Sequence, residues 1–362
     1  MIAIAARPGS STPQLVDVPY PSRPQRDQIL CRTLQLGICG TDREILLSEQ
    51  PAVPHGASEL LLGHECLGIV ESTGADVASL RPGDLVVPVV RRALPQFADA
   101  YRVDMLAFGC FTERGIFHED GFSAAYWLDR PEHVLKVPPH LESVAVLAEP
   151  LAVSEKAVNE AFVVQQARIG PHEWRDRPPR VLVTGQGPIG FTAVLAAVAR
   201  GWPTTMVGRD AADTFRAELA TRFGARYQSL ADHPFAVRDV ELDGYDLVLE
   251  CTGSDEIMLH AVGALASRGV MVWLGSTRRP EPQLRNVEQM MRDGILRNHL
   301  HLATVNSAPR DFVDALAHLD QLQATHPDAL AQLITARVAP ADSLWHYLHR
   351  LPQGIKTVVE YP

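Results

Sequence analysis

Cysteine is scarce in this sequence: five thiols, Cys31, Cys39, Cys66, Cys110 and Cys251, are spread over 362 residues. An odd, dispersed set does not make a disulfide framework, so a reducing cytoplasm is the expected home. Basic residues are outnumbered, 33 Lys and Arg against 43 Asp and Glu, for a net charge of −10. Nucleic acid and anionic membranes both demand a basic face, so neither is an expected partner. No apolar run reaches the roughly 18 residues of a membrane span. The start, "MIAIAARPGSST", has no basic region followed by an apolar core, so no secretory signal is expected. Low-complexity tracts and internal repeats are missing as well. What remains, 46% hydrophobic and 21% charged residues, is an ordinary globular composition at a length that allows two domains.

The chain changes style near Pro150. Residues 1–150 read as a β-rich unit in which short apolar runs such as "LGIVEST" and "DLVVPVV" are separated by turn signals, "TGAD" and "RPGD". Residues 151–306 then alternate strand-like and helix-like segments. "RVLVTGQGPIG" is a buried strand running into a glycine turn, "FTAVLAAVAR" a helix, and "TTMVGRD", "YDLVLECTG" and "GVMVWLGS" further short runs of the parallel-sheet kind. From about residue 307 to 362 the chain is helical again and ends on "GIKTVVEYP", which reads as a strand completing the first unit.

Gly185, Gly187 and Gly190 form G-x-G-x-x-G directly after "VLVT" and directly before a helix. That context lets backbone approach a pyrophosphate whose charge sits at the helix N-terminus. Pro188 and Ile189 fill the turn, and Thr252 in "ECTG" joins the candidate cofactor contacts. The second strand ends on Gly208 and Arg209, where an NAD-binding unit carries an acidic residue for the ribose 2′-hydroxyl. A small residue followed by a guanidinium suits a 2′-phosphate and favours NADP over NAD. Asp210 complicates this, since a shift of two residues would restore a carboxylate.

The stretch "LLLGHECLGIV" places His64 and Glu65 side by side in an apolar run, where a carboxylate without a partner is expensive. Cys39 in "LGICGTD", His64 and Glu149 in "LAEPLA" supply a thiolate, an imidazole and a carboxylate. Such a set can hold catalytic zinc with a position left open, and a cation would offset the burial of Glu65. Residues so far apart are equally compatible with a core cysteine and a satisfied core histidine.

"GICGTD", "LLGHECLGIV", "RPGDLVVPVVRR" and "AEPLAVSEKA" resemble the zinc-containing medium-chain alcohol and polyol dehydrogenases. Within that superfamily "GICGTDREI", "FTERGI" with "DGF", and "LAEPLAVSEKAV" are most similar to the archaeal-type glucose (aldose) dehydrogenases. The resemblance implies an α/β fold: a GroES-like β-rich catalytic domain and a Rossmann domain with a doubly wound parallel sheet, the active site in the cleft between them. It implies Cys39, His64 and Glu149 as zinc ligands, with Glu65 as a neighbour or an exchanging ligand, and Thr41 as the group that passes the substrate proton outward. Thr41 also fits a local hydrogen bond to backbone. Glu113, in "FTERGI", matches the residue that grips sugar hydroxyls, and Asn306, in "TVNSAP", one near nicotinamide and substrate. A homodimer or homotetramer is implied too, with "GVMVWLGS" pairing across a two-fold axis.

Departures from the pattern matter. The structural zinc lobe carries four cysteines in many relatives, whereas the segment after "VVRR" here holds only Cys110, so one zinc per chain is expected. Val90 and Val153 stand where glucose dehydrogenases carry polar side chains. Two lost hydroxyl partners weaken sugar binding several-fold to a hundredfold, on the order of 1–3 kcal/mol. The sequence therefore points to a zinc-dependent dehydrogenase of an aldose or polyol. An alcohol dehydrogenase for a less polar secondary alcohol is the alternative. A non-catalytic dinucleotide-binding protein and a zinc-free quinone reductase are disfavoured by Cys39, Thr41, His64, Glu65 and Glu149 occurring together.

Overall fold

The computed structural model describes residues 1–232, 244–275 and 287–362. The chain forms two compact units: Met1–Ala152 with Asn306–Gln323 and Ile334–Pro362, and Val153–Val305 with Ala324–Leu333.

The first unit is built on a seven-stranded sheet. Its spine is the strand Ile29–Gly37, whose side chains alternate between buried and half-buried along most of its length, as a strand with one face on a core requires. Glu65–Thr73 lies antiparallel on one side of it and Lys356–Glu360 antiparallel on the other. The C-terminal "GIKTVVEYP" is thus an interior strand of the first unit. Leu85–Pro88 and Val134–Val137 extend the sheet beyond Glu65–Thr73, and Ile334–Val338 extends it beyond Lys356–Glu360. Ile29, Cys31, Leu36, Cys66, Val70, Phe122 and Trp127 fill the core beneath. The Phe122 and Trp127 rings meet edge to face at 4.8 Å, and the Arg114 guanidinium lies 4.5 Å from the Phe122 ring centre.

Among the described residues the second unit holds a six-stranded sheet, parallel throughout. In spatial order the strands are Arg226–Ser229, Thr204–Gly208, Val181–Thr184, Tyr245–Glu250, Leu265–Trp273 and Leu300–Ala303. Numbered along the chain, that order is 3-2-1-4-5-6, the doubly wound arrangement whose crevice opens between strands 1 and 4. Val181–Thr184 is wholly buried because parallel strands are covered on both faces. The apolar helix Pro188–Ala199 packs on the strands at the switch point. Leu265–Trp273, the core of "GVMVWLGS", is flanked on both sides, so it has no edge for a second copy to pair with. The additional strand Leu300–Ala303 takes that edge; Ser276, at the end of the motif, lies outside the described residues. Among the described residues no helix is long and apolar enough to cross a membrane.

Phe122 is completely buried between Trp127 and Arg114. Phe122→Ala should therefore destabilise the protein by about 3–5 kcal/mol in urea titration, and a loss under about 1 kcal/mol would mean that the core closes around the gap.

Candidate active site

In the first unit, the Cys39 sulfur, a His64 ring nitrogen and a Glu65 carboxylate oxygen lie within 4.8 Å of one another. His64 and Glu65 are buried and Cys39 is half-buried. Cys39 stands at the N-cap of the helix Gly40–Ser48. Three residues on, the buried Asp42 accepts the Cys39 backbone N–H through Oδ2 at 2.8 Å. Its other oxygen, Oδ1, lies 3.5 Å from His64 Nδ1. One carboxylate thus fixes the cysteine turn and faces the imidazole, leaving the second ring nitrogen as the ligand His64 can offer. Burial opposes a charge on His64, but Asp42 and the Cys39 sulfur outweigh it and raise its pKa well above the usual histidine value. The pocket favours positive charge, and a soft sulfur, an imidazole and a carboxylate suit zinc.

Glu65 has a counter-ion that sequence reasoning missed. Lys356 Nζ lies 2.7 Å from Oε1 and 2.6 Å from Oε2, with both side chains buried, and donates to the Ile38 carbonyl at 3.2 Å. An ammonium offsets the carboxylate's burial, where the sequence had suggested a metal. Gly37 makes the meeting possible. It sits opposite Glu65 in the sheet register, and a Cβ there would overlap Glu65 Oε2. The only signal for Lys356 is a lysine inside the apolar strand "IKTVV"; for Asp42 it is the capping-box position three residues after the N-cap.

Of the other candidates, Glu149 and Thr41 interact with members of that cluster. Glu149, in the first turn of the helix Ala148–Ile169, is not among the groups within 4.8 Å. It is buried, though, and feels them: burial pushes its carboxyl up to about 7, His64 lowers it and Glu65 raises it further. The Thr41 hydroxyl stands 3.8 Å from the Cys39 sulfur. Glu113 is directly opposite Arg91 on adjacent strands, and its Oε1 accepts the Arg91 Nε at 3.0 Å. Arg91 is itself buried, donates to the Asp104 carbonyl at 3.0 Å and stacks 3.7 Å over the Phe111 ring. Val90 is buried; Val153, the first residue of the second unit, is half-buried. Asn306, half-buried, adopts a left-handed backbone at φ 53°.

In the second unit the glycine turn follows the buried strand Val181–Thr184 at the switch point. Gly185 takes φ 94°, open to glycine at no steric cost. A Cβ on Gly190 would overlap the Gly185 carbonyl, so this glycine permits close helix–strand packing. A Cβ on Gly187 would meet nothing, which leaves room for a pyrophosphate to approach at the N-cap of the helix Pro188–Ala199. Pro188 and Ile189 form that helix's first turn. Thr252 follows Glu250, a fully buried carboxylate that accepts the backbone N–H groups of Thr252 at 2.7 Å and Gly253 at 3.2 Å. Gly208 ends the second strand, and Arg209 beyond it is exposed.

Comparison with known proteins gives the family. Residues 142–361 match the family described as glucose dehydrogenase C-terminus, and residues 25–139 match the alcohol dehydrogenase GroES-like domain. The chain belongs to the glucose dehydrogenase family. Among its relatives in that family is the glucose 1-dehydrogenase of Methanocella arvoryzae, 35% identical over 93% of each chain. That of Thermoproteus tenax is 35% identical over 94% of each. Glucose dehydrogenase from Haloferax mediterranei, solved with NADP, Zn and gluconolactone, superimposes with a TM-score of 0.86 at 25% identity, covering 100% of this chain and 99% of that one.

Removing Lys356 leaves a family member of this build with an uncompensated carboxylate. Lys356→Met is expected to lower stability by about 3–5 kcal/mol in urea titration, and the double variant Glu65→Gln, Lys356→Met to recover most of the loss. A double variant no more stable than the single would mean that Lys356 acts by packing instead.

Proposed function

We propose that this chain oxidises a hydroxyl of an aldose or polyol in a zinc-dependent reaction that reduces NADP. The observation that carries this reading is the buried cluster of Cys39, His64 and Glu65 in a chain of the glucose dehydrogenase family. Support for the cofactor and substrate class comes from the glucose 1-dehydrogenase relatives and from the NADP, Zn and gluconolactone of the Haloferax enzyme. Cys39 and His64 hold the metal, and Glu65 and Glu149 are the carboxylates that complete its surroundings. When bound, zinc supplies Lewis acidity toward the substrate hydroxyl and the nicotinamide supplies the hydride acceptor.

The chain's own groups do the rest. Asp42 sets the imidazole by facing Nδ1. Lys356 anchors Glu65 through both carboxylate oxygens; burial disfavours its own ammonium, but Glu65 outweighs that and raises the Lys356 pKa above the ordinary lysine value. Thr41 Oγ1 relays the substrate's hydroxyl proton outward, accepting it while releasing its own to solvent water at this half-buried position. Arg91 leaves Glu113 Oε2 to accept sugar hydroxyls while holding Oε1. Gly185, Gly187, Pro188, Ile189 and Gly190 carry the pyrophosphate, Arg209 the ribose phosphate, and Thr252 and Asn306 the nicotinamide end. Val90, buried and apolar, favours the second reading, a less polar secondary alcohol as substrate.

A homodimer or homotetramer is supported by an exposed apolar face on the helix Val287–Arg297, with Met291, Ile295 and Leu296 more than half exposed, and by the edge strand Leu300–Ala303. A cytoplasmic location is supported by five free cysteines.

Initial rates with NADP and NAD should show NADP reduction by D-glucose or D-galactose, abolished by a chelator and restored by zinc. Turnover with only a simple secondary alcohol would favour the second reading. Nucleotide binding with neither zinc nor turnover would sink both in favour of a non-catalytic protein. Asp42→Asn should lower zinc affinity about 10–100-fold by competition with a chromogenic chelator; an unchanged affinity would remove Asp42 from the site.

A further inference from the structure

The strand Thr204–Gly208 runs out into two opposite charges, Arg209 and Asp210. A carboxylate near this point in a dinucleotide-binding unit grips a ribose 2′-hydroxyl and repels a 2′-phosphate. Asp210 is not a bare carboxylate, however. Arg216, the second residue of the helix Phe215–Arg222, donates from Nε to Oδ2 and from Nη2 to Oδ1, both at 2.8 Å. This is the two-pronged geometry in which a guanidinium holds a carboxylate most strongly. The pair is largely withdrawn from solvent, with side-chain exposures of 21% for Arg216 and 14% for Asp210.

The backbone of Asp210 is fixed as well. Its N–H donates to Gln186 Oε1 at 3.2 Å, and the Tyr227 hydroxyl lies 2.9 Å from both the Asp210 carbonyl oxygen and Gln186 Oε1. Burial, then the neighbouring Asp210, pushes the Tyr227 hydroxyl up to about 12, so it stays protonated and able to donate. Gln186 belongs to the glycine turn, and a Cβ on Gly208 would overlap its Oε1. The strand end and the phosphate turn are thereby joined, which places the Asp210–Arg216 pair at the rim of the nucleotide site. Arg209, by contrast, is exposed, and among the described residues no hydrogen bond or ion pair holds it.

We propose that Arg216 is a cofactor-selecting residue. By clamping both oxygens of Asp210 it withdraws the carboxylate from the ribose and leaves the Arg209 guanidinium to a 2′-phosphate. Asp210, which the sequence offers as an NAD-type carboxylate, is thereby turned into part of an NADP-type rim. The proposal rests on the reading of NADP as cofactor and adds a residue that acts through another, without itself touching the phosphate.

The test is a fluorescence titration of NADPH and NADH into the full-length protein, with Arg216→Gln, Asp210→Asn and their combination. Wild-type protein should bind NADPH more tightly. Arg216→Gln should narrow the NADPH-to-NADH preference by about tenfold, mainly through weaker NADPH binding, because it exposes one repelling charge. The double variant should recover the wild-type preference, since the repelling charge is gone too. Thermal midpoints separate these effects from unfolding; should Arg216→Gln not fold, Arg216→Lys carries the test, because one ammonium cannot hold both oxygens. A preference unchanged by Arg216→Gln, or one that the double variant does not recover, overturns the proposal. The cofactor reading fails separately, if wild-type protein binds NADH more tightly.

Discussion

The contact between Glu65 and Lys356 organises the catalytic unit. The two residues stand on strands that never touch, one on each side of Ile29–Gly37, and they meet only because the strand between them ends on a residue with no side chain. A buried carboxylate and a buried ammonium are each costly alone, and their pairing fixes the ends of three strands relative to one another. The same ammonium holds the Ile38 carbonyl, the residue before Cys39. The donor cluster is thus held through one of its own members, Glu65, and its geometry is inherited from the sheet.

A second layer of polar contacts works in the same way. Asp42 serves the cysteine turn with one oxygen and the imidazole with the other, Arg91 ties Glu113 across adjacent strands, and Glu250 gathers the turn that carries Thr252. Each places a chemically active side chain by satisfying a buried polar group, which a low-dielectric interior requires. The nucleotide unit uses backbone in place of side chains. Its glycines let main chain approach a phosphate, and the parallel sheet supplies the crevice at its switch point.

Contiguous signals were legible in the sequence. The strand, glycine turn and helix around Gly185–Gly190 are local, and the turn chemistry, the apolar run and the helix each confirm the next. Four of the six parallel strands were legible as apolar runs in the same β/α alternation; Arg226–Ser229 and Leu300–Ala303 were not, and the latter displaced "GVMVWLGS" from the edge position. Cys39, His64 and Glu65 could be picked out because each sits in a short motif. The partner of Glu65 could not, because it lies 291 residues away.

What the sequence alone determined is the class of protein: a β-rich unit followed by one of alternating β and α segments with a parallel sheet, a phosphate turn, and a thiol, imidazole and carboxylate suited to zinc. These are written in periodicity, turn residues and residue type, all properties of neighbouring positions. Only the tertiary structure decided which charge neutralises which. Lys356 for Glu65, Arg91 for Glu113 and Arg216 for Asp210 are pairings that leave no periodic or contiguous trace, because an ion pair depends on distance in space and strands bring together residues of any separation. Asp210 is the sharpest case. As a letter beside Arg209 it is a carboxylate; folded, with Arg216 on both its oxygens, it no longer presents a bare charge.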